Sequence, residues 1–303
     1  MSEFESPEDQ PRDRAKWVAV GLVVVSSAFA VLYKTAERTG FGHTSVMFLG
    51  IPAVLAILLA LLPRAKSATG AILKGITFAL LIVAPLLGEG YLCILIASPL
   101  FYVVGLIVGA AVDWNRKKRG ITLSCCALVL LPLALEGVVP QLTYSRLETV
   151  AVVQTVNATT EQVAQALAHS PRIDTPLPRF LRIGFPRPLA VRGDGLSTGS
   201  RRTIHFSGAE GDPPGDLVTE ITDSYPGFVR SRTVSDSSKL TQWVRWDSSE
   251  VTWGAIDATH TAVTWRITFQ RQLDPAWYFI PWERLAVREA AGFMIAANAT
   301  PRR

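Results

Sequence analysis

Apolar residues are arranged in two different ways along this chain, and the change falls near residue 140. From Trp17 to Pro140 they form long blocks, with charge mostly confined to the gaps between them. After Gln141 they alternate with polar residues in short runs. A helix that crosses the hydrocarbon core of a bilayer needs about 20 apolar residues. The first pattern supplies five such segments, at 17–34, 44–63, 71–88, 91–112 and 121–140. The third and fourth form one run from Ala71 to Val112, interrupted by Lys74 and by Gly88-Glu89-Gly90. That triplet predicts a turn between two spans. Residues 1–16 are polar, with Pro7, Pro11 and several acids, and predict a disordered tail.

The second pattern predicts strand, helix, several strands and a long helix. Leu147–Val156 alternates as a strand, and the Asn157–Gln162 cluster predicts an N-cap for a short helix over Glu161–His169. Five prolines between residues 171 and 190 predict an irregular crossing segment. Strands follow at Gly199–Ser207, Asp216–Asp223, Gly227–Ser235, Leu240–Trp246, Ser249–Ile256 and His260–Arg271, separated by turn residues. In the last of these, Thr261, Val263, Trp265, Ile267 and Phe269 share one face, so that face is buried and the other is wet. Asp274-Pro275 opens a helix of about 23 residues, with Pro at its start. Its apolar positions are Tyr278, Trp282, Leu285, Ala286, Phe293 and Met294, and Glu283, Arg284, Arg288 and Glu289 make it too charged for a sixth span.

Composition sharpens the division. Residues 1–140 hold 12 of the 30 Lys and Arg and 9 of the 25 Asp and Glu, which places +3 of the net +5 there and leaves +2 for the rest. So small an excess over the polar half argues against nucleic acid as a partner. Lys239 is the one lysine of that half, and an anionic ligand and an Arg-rich codon preference both account for the bias. The three cysteines, Cys93, Cys125 and Cys126, all lie in apolar blocks, so no disulfide framework supports the second domain. Basic residues flank the spans unevenly: Arg12, Arg14, Lys16, Arg64, Lys66 and the 116–119 cluster share one side of a five-span arrangement. The positive-inside rule then puts the N-terminus in the cytoplasm and the C-terminal domain outside, in a bacterial cytoplasmic membrane. A re-entrant 88–90 segment would reverse that sidedness. Glu89 and Glu136 are ionisable groups at the margins of spans, read either as interfacial carboxylates or as an ion site. Asp113 marks an ordinary interfacial boundary.

Specific residues of the second half resemble the START-like superfamily, the SRPBCC group of polyketide cyclase/dehydratase and lipid-transport domains. They are Val152–Ala158 before the short helix, the Pro-rich Pro178–Leu189, Gly199-Ser-Arg-Arg before a strand, and Thr261–Phe279 leading into the last helix. The Gly88–Pro99 stretch of the membrane half is similar to that of bacterial membrane proteins carrying such a domain. The resemblance covers residues 147–298. It implies an α+β helix-grip fold, in which a curved antiparallel sheet wraps a long C-terminal helix, here following the about five all-α transmembrane helices that the apolar segments predict. It also implies an apolar cavity for a hydrophobic small molecule or membrane lipid. The pocket candidates carried over are Ile204, Phe206, Ile221, Val229, Trp253, Trp265, Ile267, Phe269 and Trp282, although the same residues would equally fill a solid core. Six of the eight Trp fall between residues 243 and 282, which suits core packing, a ligand cage or membrane contact.

Polar candidates for a ligand headgroup are Arg202, Glu220 and Arg230. His205 alternates to the outer face and His260 sits at a turn, neither with a recognisable partner in the sequence. There is no phosphate loop, metal-ligand cluster or nucleophile signature, and the lone Gly193-Asp194-Gly195 lacks the helix of a dinucleotide motif. The reading assigns no cofactor, no metal and no catalytic residue. It is membrane-anchored binding of a lipid-like ligand, for sensing or transfer at the membrane surface. The alternatives are a cyclase- or dehydratase-type enzyme, with Glu220 or Arg202 in an acid/base pair, and a protein-interaction module on a membrane anchor whose protein partner is unknown.

Overall fold

The computed structural model describes residues 67–87, 91–117, 135–171, 173–209 and 213–301. The chain divides into two compact units, Met1–Leu130 and Leu131–Arg303. The polar tail, the spans at 17–34 and 44–63, the Gly88-Glu89-Gly90 turn and residues 121–134 of the fifth span lie outside the described residues.

In the first unit, helices α1 (Ala68–Leu87) and α2 (Tyr91–Lys117) occupy the third and fourth apolar segments. They pack antiparallel. Thr77 Oγ1 and Tyr102 OH meet at 2.8 Å near the middle of the pair. Further along, a Cβ on Gly109 would lie 2.6 Å from the Cα of Thr69, so glycine is what lets the two backbones approach. At the end of the pair Asp113 accepts hydrogen bonds from the amides of Ala68 (2.7 Å) and Thr69 (3.0 Å) and from Thr69 Oγ1 (2.6 Å). Those amides have no partner within their own helix, and a carboxylate there also complements the helix dipole. Asp113 is therefore a cap supplied across the helix pair. Among the described residues one segment, Leu95–Trp114 of α2, is long and apolar enough to cross a membrane, with mean hydropathy 2.3.

The second unit contains one seven-stranded antiparallel sheet, in the order β1-β7-β6-β5-β4-β3-β2. Its strands are β1 (Leu147–Val156), β2 (Pro188–Arg192), β3 (Arg201–Phe206), β4 (Gly215–Tyr225), β5 (Phe228–Asp236), β6 (Val244–Ala255) and β7 (Thr261–Arg271). Helix α3 (Thr160–Ala168) follows β1, and α4 (Ala276–Asn298) ends the domain. Thr159 caps α3 in a capping box with Gln162, and Val163 and Leu167 bury its inner face. The predicted alternation of β7 holds throughout: Thr261, Val263, Trp265, Ile267 and Phe269 are all buried. Packed on α3, α4 and the sheet, this face forms the core with Val287, Ala291 and Ile295 of α4. The result is a curved sheet holding a long C-terminal helix, the helix-grip arrangement.

Two strand assignments change. Leu240–Trp246 and Ser249–Ile256 are one strand, β6, with a bulge between Trp246 and Ser248, while Leu240 belongs to a short 3-10 turn. β2 lies inside the segment expected to be irregular. Pro188 can begin it because β2 is an edge strand, where a missing N–H breaks no ladder.

The base of the domain is built around Arg271, which is fully buried. Its Nη2 donates to Glu136 Oε1 (3.2 Å) and to the carbonyl of Tyr144 (2.9 Å), and its Nε donates to the carbonyl of Ser145 (3.0 Å). Nη1 donates to the carbonyl of Leu273 (3.0 Å) and to the Asp274 carboxylate. Glu136 in turn accepts from the amide of Ala276 at 3.1 Å, a free N–H of the first turn of α4. Arg146 closes the ring on Asp274 at 2.7 Å. Gly137 lies between them with φ +82°, and any Cβ there would run into the Asp274 carboxylate. This corrects the reading of Glu136. Leu135–Val138 form a turn that is part of the folded domain, and Glu136 is a buried ion-pair partner rather than an interfacial carboxylate.

Replacing one member of a buried ion pair strands the other, at a cost of about 3–5 kcal/mol. Arg271→Met is expected to lower the unfolding free energy by that amount in urea titrations. The double change Arg271→Met with Glu136→Leu is expected to be more stable than Arg271→Met alone.

Candidate functional site: an apolar cavity under the C-terminal helix

Helix α4 lies directly against β1 and β7 and stands away from β3, β4 and β5. The gap is a cavity of about 160 Å³. Its helix wall is made of small residues, Ala286, Ala290 and Ala297, with Phe293 and Met294 beside them. Ile204, Phe206, Leu217, Trp246 and Trp265 form the sheet wall. The roof is the Pro-rich crossing, through Ile173, Leu177, Leu181, Phe185 and Pro186. Aromatic contacts pin that roof: Phe180 stacks on Trp282 (6.4 Å) and meets Phe185 (5.6 Å), and Phe185 meets Trp243 edge-on (5.2 Å). A smaller cavity of about 60 Å³ adjoins the first and shares Arg202, Thr219, Ser231 and Trp265 with it. An engineered cavity of about 150 Å³ takes a benzene molecule and stays dry. The main cavity therefore suits a small apolar body.

The structure separates the sequence-derived candidates by position. Ile204, Phe206 and Trp265 line the main cavity, and Ile221 and Val229 line the smaller one. Ile267 and Phe269 do not: both are fully buried in the solid core, because α4 lies directly on β7. Trp253 is half-buried against the core edge, away from both cavities. Trp282 is 37% exposed and acts as the stacking partner of Phe180.

Of the polar candidates only Arg202 faces inward. Glu220 lies on the outer face, between Arg201 (2.9 Å) and Arg232 (3.2 Å), whose hydrogen bonds hold its carboxyl below the usual range. Arg230 also lies there, paired with Glu250 at 2.8 Å; Arg266 reaches the same carboxylate at 3.0 Å. Glu220 is therefore not available for an acid/base pair inside the cavity, whereas Arg202 lines it. The histidines also gain partners that the sequence did not reveal. His205 Nδ1 lies 2.6 Å from Asp216 on the outer face, and His260 contacts Asp257. Hydrogen bonds from the Thr259 amide and from His260 hold the Asp257 carboxyl at about 2.

Leu217, Trp246, the alanines of α4 and the residues of the Pro-rich roof were missed as wall residues. The alanine spacing along α4 was a usable signal, because small residues on the inner face of a helix leave space beside it. Glu283, one of the four charges that set α4 apart from a membrane span, is only 4% exposed. Its Oε1 accepts from the amides of Gln272 and Leu273, both at 3.3 Å, and its Oε2 has no hydrogen-bond partner among the described residues. Burial pushes its carboxyl up to about 7, against the pull of those amides and of Arg271.

No family model and no curated relative matches this sequence. Solved structures similar to the C-terminal half include the ZhuI aromatase/cyclase from Streptomyces sp. R1128. It is 17% identical, with a TM-score of 0.33, over 48% of this chain and 89% of that one. Norcoclaurine synthase from Thalictrum flavum is 12% identical, with a TM-score of 0.32, over 50% and 86%. Ara h 8.0201 is 11% identical, with a TM-score of 0.30, over 50% and 99%. The helix-grip assignment itself rests on the strand order and on the seat of α4.

Glu283 sets a pH dependence. Its folded value lies above that of an unfolded glutamate, so its stabilising contribution is complete below about 4.5 and is lost as pH rises through about 7. Glu283→Gln is expected to gain stability relative to the wild type between pH 5 and pH 8, by up to about 2–3 kcal/mol. Chemical denaturation at both pH values measures this.

Proposed function

We propose that this chain binds a hydrophobic, lipid-like small molecule in the cavity beneath α4, on a domain anchored to a membrane, for sensing or transfer at the membrane surface. The observation that carries the reading is the cavity itself. It lies between sheet, helix and roof, is walled almost entirely by apolar side chains, and is large enough for a ring or a short chain. A cavity of this kind is costly to keep empty, because the atoms lining it forgo packing contacts.

Several features support the membrane anchor. Leu95–Trp114 is 20 residues of mean hydropathy 2.3 with 17% of it buried, whereas the core helix of a water-soluble protein is mostly buried. The close Gly109 contact with α1 is the small-residue packing that membrane helices use. Where the chain enters the C-terminal domain, Val138, Leu142 and Tyr144 are exposed, and so is Trp277 at the start of α4. Apolar and aromatic residues in such a position suit a bilayer interface. The distribution of Lys and Arg supports a position for this domain outside the cytoplasm.

Native mass spectrometry of the full chain released from lipid nanodiscs tests the reading. A bound apolar molecule is expected on the wild type. It is expected to fall at least tenfold in Ala290→Trp, whose indole fills the cavity. A wild type that carries no molecule and takes up none when mixed with lipid extract would falsify the proposal.

A further inference from the structure

The main cavity has one charged residue among its described lining residues, Arg202 of β3. Its position follows from strand alternation, because residue 202 shares the inner face with Ile204 and Phe206 while Arg201 faces outward. Arg201, Arg230, Arg232 and Arg266 show how the outer face treats the same side chain: each is paired with Glu220 or Glu250. Arg202 is treated differently. Its Nη2 donates to two main-chain carbonyls, Leu167 at 3.0 Å and His169 at 3.5 Å. Of its five N–H donors, those on Nε and Nη1 make no hydrogen bond among the described residues. The carboxylate of Asp194 favours the charge without a hydrogen bond to it, and is itself bonded to Ser170 at 2.8 Å. Burial works against the charged guanidinium here.

Arg202 is also where the two cavities meet, with the Thr219 and Ser231 hydroxyl-bearing residues beside it. The rest of the main wall is nearly all apolar. A cation without an ion-pair partner in such surroundings gains most from a ligand that brings its own negative charge, since charge-assisted hydrogen bonds are the strong ones. Arginine suits this role because it stays charged when buried and still has donors on Nε and Nη1 to offer a carboxylate oxygen.

We infer that the ligand is an apolar carboxylate, its hydrocarbon body in the main cavity and its acid group at the junction, held by Arg202 with Thr219 and Ser231. This rests on the binding function proposed above and adds the class of molecule that the cavity selects.

The test compares two probes of nearly equal shape, 2-naphthoate and 2-naphthylmethanol, on the full chain in nanodiscs, with empty nanodiscs subtracted. Calorimetry on the wild type is expected to show naphthoate binding at least tenfold tighter than the alcohol. Arg202→Met is expected to abolish that preference while leaving the alcohol's affinity within about twofold. Arg202→Lys is expected to retain part of it. Equal affinity for the two probes on the wild type overturns the carboxylate assignment and leaves the binding function standing. So does an undiminished preference in Arg202→Met. If neither probe binds the wild type, both proposals fall. The wild-type comparison decides the matter even if Arg202→Met does not fold.

Discussion

A buried guanidinium must have its donors satisfied and its charge met, and at Arg271 that requirement organises the base of the C-terminal domain. Its partners come from three places: the segment entering the domain (Glu136, Tyr144, Ser145), the turn after β7 (Leu273, Asp274) and, through Glu136, the first turn of α4. No two of these segments could move apart without leaving a charge or a carbonyl unpaired in a place that excludes water. The origin of α4 is fixed by this cluster. Its packing on β1 and β7 then decides how far it stands from the other strands.

The cavity follows from that placement. Beside β7 the helix presents Val287, Ala291 and Ile295, and the interface is solid. One face over, it presents alanine toward β3–β5, and the space stays open. The curl of the sheet carries those strands away from the helix, and the Pro-rich crossing covers the opening through the Phe180, Phe185, Trp243 and Trp282 contacts. The outer face is ordered by different means, ladders in which one glutamate serves two arginines on neighbouring strands. Such exposed pairs contribute little stability individually.

The local elements were largely legible in the sequence, because periodicity is a local property. Leu147–Val156 was bounded correctly from its alternation, and so was the buried face of β7. Alternation also decides which polar candidates can face the cavity. Thr219 and Ile221 point inward, so Glu220 must point outward, and the same parity between Val229 and Ser231 removes Arg230. The phase of α4 was harder. Tyr278 and Trp282 look like core residues by hydrophobicity, whereas Glu283 is the buried one. Glu136 could not have been placed at all, since its role depends on Arg271, 135 residues later in the chain. The bulge that joins two predicted strands into β6 likewise depends on its neighbours rather than on its own residues.

In the sequence, the segment from Glu136 to Arg146 covers the expected end of the fifth span at residue 140 and stops just before the strand at Leu147. In the folded chain it is a collar. Its side chains and carbonyls are bonded to the end of β7 and the start of α4, and Gly137 is present because nothing larger fits against Asp274. The domain is therefore held without slack at this point. A pull or twist on the chain at Glu136 would arrive directly at the helix that walls the cavity.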